Sequence, residues 1–141
     1  RKSSAAIGHY SGTVWEQTYP YVRPQETGNK TDVRWMAVSN GDIGIMIKGS
    51  PVFDGSIHQY PYEDLDHVPH GQKHGKLDLH PKDQIDWLID YKQMGVGGDN
   101  SWGENPHSQY LLNSSPISFS FTLIPFNDKD DLHALYSMEI D

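Results

Sequence analysis

Asn40-Gly41 stands between two runs of alternating hydrophobicity, and no other feature constrains the fold as tightly. Before it, Val33, Trp35 and Ala37 alternate with Asp32, Arg34 and Met36. After it, Ile43, Ile45 and Ile47 recur at every second position. A period of two puts alternate side chains on one face of a strand, and Asn-Gly accepts the positive φ of a tight hairpin turn. An antiparallel hairpin is expected here, with the three isoleucines as the buried face of its returning strand.

Further strands are expected from Val52 to Tyr60, from Gln84 to Tyr91 and from Ile117 to Leu123. The last is the cleanest alternating run in the chain. Pro61 suits the opening of a short helical turn over Tyr62-Glu63-Asp64-Leu65. Leu132, Leu135 and Tyr136 behind the acids Asp128 to Asp131 predict a short C-terminal helix. Pro20 and Pro24 mark an edge or loop element ending in a turn at Gly28, because each removes a ladder donor. Residues 1–12 show no period. Eight tyrosines, four tryptophans and four phenylalanines beside 13 glycines and nine prolines suit strands joined by long loops. The expected fold class is all-β: an antiparallel β-sandwich with short helical turns and a short C-terminal helix, in a single domain or domain fragment over 1–141.

A net charge of -8 argues against nucleic acid and anionic membrane as partners. No apolar run reaches the roughly 20 residues of a membrane span. The chain holds no cysteine, so disulfides and thiolate metal sites are excluded. It starts Arg1-Lys2-Ser3-Ser4, without an initiator Met or a signal-peptide core, and reads as a piece of something longer.

The stretch Met94-Gly95-Val96-Gly97-Gly98-Asp99-Asn100-Ser101-Trp102 is the most unusual in the chain. Gly95, Gly97 and Gly98 allow positive φ and close backbone approach. Asp99, Asn100 and Ser101 can bond neighbouring backbone and fix an irregular loop. A dinucleotide fingerprint would need a helix and a further spaced glycine, whereas Gly103 and Pro106 follow here. Two readings of Trp102 remain: a core plug in a structural hairpin, or an exposed aromatic platform, which a loop this costly favours.

Five histidines lie between His58 and His80 near Glu63, Asp64 and Asp66, but His67, His70, His74 and His80 match no closed metal site. A solvated polar loop without metal is expected there. The glutamates Glu16, Glu26, Glu63, Glu104 and Glu139 are scattered, with nothing to pair them as glycoside hydrolysis requires. No nucleophile elbow, Ser-His-Asp pattern or phosphate loop is present.

Two segments carry a family resemblance. Tyr21-Val22-Arg23-Pro24-Gln25-Glu26-Thr27-Gly28-Asn29-Lys30-Thr31-Asp32-Val33-Arg34-Trp35 resembles a proline-bounded segment near the C-terminus of large bacterial β-galactosidases. Asp90-Tyr91-Lys92-Gln93-Met94 through the glycine loop to Trp102-Gly103 resembles the signature of the same domain. The likeness covers roughly residues 7 to 126. Thr27 departs from it, standing where asparagine is usual.

The resemblance implies the C-terminal part of a multi-domain glycoside hydrolase, within a galactose-mutarotase-like supersandwich. It implies a central barrel holding both catalytic glutamates, and Mg and Na sites elsewhere in the parent enzyme, with no cofactor in this chain. It assigns sugar binding, chiefly on the acceptor side, to Trp102. The implied partners are a galactoside substrate and the other domains of the parent, with homo-oligomerisation and the compartment, bacterial cytoplasm or periplasm, left open. The rival is a free-standing carbohydrate-binding or interaction module; a weaker third is divalent-metal binding through the histidine loop.

Overall fold

The computed structural model describes residues 6–18, 28–65, 79–94 and 103–139. They form strands β1 (Lys30–Ser39), β2 (Ile43–His58), β3 (Asp86–Asp90) and β4 (Phe121–Asn127), and one helix, α1 (Leu132–Ser137). Three short 3-10 turns, at Trp15–Gln17, Tyr62–Leu65 and Ser108–Tyr110, complete the described elements. The architecture is all-β and sandwich-like, as the alternating runs predict. The strands make one four-stranded sheet in the order β1-β2-β3, with β4 also paired to β2. Both β1 and β4 run antiparallel to β2.

The chain divides into two compact units, one of residues 1–28 and 57–87, the other of 29–56 and 88–141. In the first, Tyr60 and Leu79 are buried together with Trp15 packed against them. Trp15 is presented by a turn closed by reciprocal hydrogen bonds. The Thr13 N–H donates to Glu16 Oε2 at 2.8 Å, and the Glu16 N–H donates to Thr13 Oγ1 at 3.3 Å. The Thr13 amide and hydroxyl together hold the Glu16 carboxyl below its ordinary range. The His58 ring lies 5.0 Å from that of Tyr60. Gly28 has φ +80, and a Cβ there would fall 2.8 Å from His58 Cε1, so the turn at the end of the proline-bounded segment needs glycine on both counts.

In the second unit the expected hairpin forms. Asn40 donates its N–H to the Ile43 carbonyl, and its side-chain oxygen accepts from the amides of Asp42 and Ile43 at 3.0 and 3.1 Å. Gly41, at φ +104, takes the first central position of the turn.

The expected buried face of the returning strand is covered at Ile47 but not at Ile43 or Ile45, and the opposite face is buried at Met46. Ile43 and Ile45 are 66% and 47% exposed, while Met46 and Ile47 are buried. Met46 is covered because α1 lies over the face opposite the isoleucines. There the Trp35 ring sits 6.0 Å from His133 and 6.5 Å from Tyr136, and Lys48 Nζ donates to the Met138 carbonyl at 2.7 Å. Met46 pairs with Ala37 and Ile124 on that covered face. Leu132, Leu135 and Tyr136 are the half-buried side of α1, as their spacing predicts. The Asp131 side chain caps the helix by accepting from the His133 N–H at 2.9 Å.

Three strands also differ in extent from expectation. The strands expected around Ile43–Ile47 and Val52–Tyr60 are one continuous β2, passing through a cis Ser50-Pro51 bond. Between the pairs Trp35↔Lys48 and Val33↔Phe53 the ladder is irregular, so the proline is carried in a bulge. The run expected at Ile117 to Leu123 is a strand only from Phe121 and continues to Asn127, with Pro125 opposite Ile45. Likewise β3 occupies Asp86–Asp90 within the longer Gln84 to Tyr91 run.

Candidate functional site

The residues singled out by sequence, Gly95, Gly97, Gly98, Asp99, Asn100, Ser101 and Trp102, lie outside the described residues, as do His67, His70 and His74. The structure instead describes the root from which the glycine segment departs. All of the contacts that follow belong to the second unit.

The root is built around a buried carboxylate. Asp54, 4% exposed, lies in β2 among six consecutive buried residues. Its Oδ1 accepts from the Asp32 N–H at 3.1 Å and its Oδ2 from the Gln93 N–H at 3.0 Å. The Asp32 amide is available because β1 bulges there: the register shifts between Lys30↔Gly55 and Val33↔Phe53, and Asp32 takes φ +54. A residue in that left-handed region is displaced from the ladder, and the carboxylate satisfies the N–H so released. Gln93 is held a second time, its side-chain amide donating to Asp90 Oδ2 at 3.1 Å. Both carboxylates thus serve as acceptors bracing the segment where the chain leaves β3.

Beside this brace runs an aromatic ridge. Tyr91 lies 6.0 Å from Phe119 at 63°, and Phe119 lies 5.6 Å from Phe121. Lys92 Nζ sits 5.6 Å from the Tyr91 ring centroid. Tyr91 is 40% and Phe121 39% exposed. The ridge continues into an apolar sheet face on which Leu123 is 58% exposed and Ile43 and Ile45 also face outward.

The described glutamates, Glu16, Glu63, Glu104 and Glu139, are all exposed. Among the described residues no three His, Cys, Asp or Glu side chains converge as metal ligands. Sequence reasoning missed Asp54. The available signal was an acid between Phe53 and Gly55, inside the run expected as a strand from Val52 to Tyr60.

A family model described as beta galactosidase small chain matches residues 1–123. A beta-galactosidase from Priestia megaterium is 40% identical over 127 residues, which is 89% of this chain and 12% of the relative. One from Pseudoalteromonas haloplanktis is 32% identical over 123 residues, covering 87% of this chain and 11% of the relative. Beta-galactosidase BgaC of Bifidobacterium adolescentis is 35% identical over 124 residues, covering 84% and 11%. The chain spans about one-eighth or less of the length of these relatives.

Proposed function

The chain belongs to the β-galactosidase small-chain family, and from that premise we propose that it is the sandwich portion of a larger β-galactosidase. In this reading it forms part of a galactose-mutarotase-like supersandwich and lends a sugar-binding loop to the active site. The carboxylates that break the glycosidic bond belong to a separate barrel domain. The observation that carries the reading is the family match over residues 1–123.

Hydrolysis of a glycoside needs a proton donor and a second carboxylate on opposite sides of one bond. The chain's part is binding. Trp102 offers a flat indole against which the apolar C–H face of a sugar ring stacks, chiefly at the acceptor position, while polar groups of the barrel take the hydroxyls. Gly95, Gly97 and Gly98 let the loop approach closely, and Asp99, Asn100 and Ser101 fix its course. The other domains of the parent are the partners of this chain. An apolar sheet face bearing Ile43, Ile45, Phe121 and Leu123 supports that pairing, because such a face is stabilised by being covered.

Substituting Trp102→Ala in the full-length enzyme tests the assignment. Loss of one stacking face is worth about 1.4 kcal/mol, so the Michaelis constant for a galactoside should rise roughly tenfold, with the melting temperature nearly unchanged. A variant that binds substrate normally and loses several kcal/mol of stability would make Trp102 a core plug instead.

A further inference from the structure

We propose that Asp54 is a positioning residue for the sugar-binding loop, its buried carboxylate tying the main chain at Gln93 to the bulge of β1. The proposal rests on the reading of Trp102 given above. Burying a carboxylate is costly unless its oxygens are met by donors. Here each oxygen receives a backbone N–H, at 3.1 Å from Asp32 and at 3.0 Å from Gln93. Neither donor belongs to a neighbour of Asp54 in sequence. The carboxylate therefore fixes two remote stretches of main chain against β2, through charge-assisted bonds stronger than those between neutral groups.

The chemistry requires an acid at this position. An ionised carboxylate is acceptor-only, which matches two converging N–H groups. An amide of the same shape would turn an NH2 towards one of them. Gln93 is the second residue before Gly95, and glycine-rich chain has little conformational preference of its own. The direction in which the loop sets out is thus fixed at its root, by Asp54 on the Gln93 main chain and by Asp90 on its side chain. Small displacements there change how well a distant aromatic meets its ring.

The test is a double-mutant cycle in full-length β-galactosidase, with KM, kcat and melting temperature measured for Asp54→Asn, Trp102→Ala and the pair. Asp54→Asn should raise KM for a chromogenic galactoside about three- to tenfold while kcat stays within about twofold. Added to Trp102→Ala, it should raise KM no further, because the side chain it positions is already gone. A structural role alone would lower the melting temperature and leave this coupling at zero. If Asp54→Asn does not fold, Gln93→Pro, which removes the N–H on Oδ2 together with the side-chain bond to Asp90, takes its place in the cycle. An unchanged KM in Asp54→Asn beside a raised one in Trp102→Ala overturns the proposal alone, as do independent effects that multiply. An unchanged KM in Trp102→Ala overturns the sugar-binding reading and the proposal with it.

Discussion

Gly44 lies beneath the ring of Phe126, its partner on β4, and a Cβ there would collide with that ring and with the Val38 carbonyl. Gly44→Ala should therefore destabilise the protein by about 1–3 kcal/mol, read by denaturant unfolding, because overpacking forces neighbours off their preferred positions. Gly28 has a similar reason in the His58 ring, and its role as a turn residue is legible in the sequence. Asp54 is not legible in the same way. Its importance comes from two N–H groups that only the folded chain brings together, one of them freed by the positive φ of Asp32. Trp102 is the reverse case: the residues around it announce a special loop, and it lies outside the described residues.

The hairpin at Asn40-Gly41 and the helix at Leu132 were readable because turn chemistry and spacing act locally. Burial at Ile47 was readable from the alternation, but cover over the opposite face at Met46 was not, since α1 and the aromatic contacts of Trp35 supply it from far along the chain. Proline also misled in both β2 and β4: Pro51 is carried where the β1–β2 register is irregular, and Pro125 lies within the β2–β4 ladder opposite Ile45. Capping gives α1 a measurable dependence. Asp131→Ala leaves the His133 amide without its acceptor and should cost about 1 kcal/mol in unfolding free energy. The Thr13–Glu16 turn carries a pH signature. A carboxyl held below its ordinary value of 4.5 stabilises the turn above the unfolded value and loses that contribution as pH falls through the folded one. An NMR titration should place the Glu16 midpoint below 4.5, and Thr13→Ala should raise it.

For the whole molecule, the face formed by Ile43, Ile45, Phe121 and Leu123 and the small share of its relatives that the chain spans support the same account. Leu123→Lys should lower the melting temperature of full-length β-galactosidase, whereas Ser118→Lys, at another exposed position, should not. The central claim is that this chain helps to hold the sugar while residues outside it perform the chemistry. Turnover of a chromogenic β-galactoside by the purified chain, beside the full-length enzyme and a mock-purified control, tests it most directly. The account predicts turnover by the full-length enzyme and none by the chain above the control; clear hydrolysis by the chain alone would contradict it.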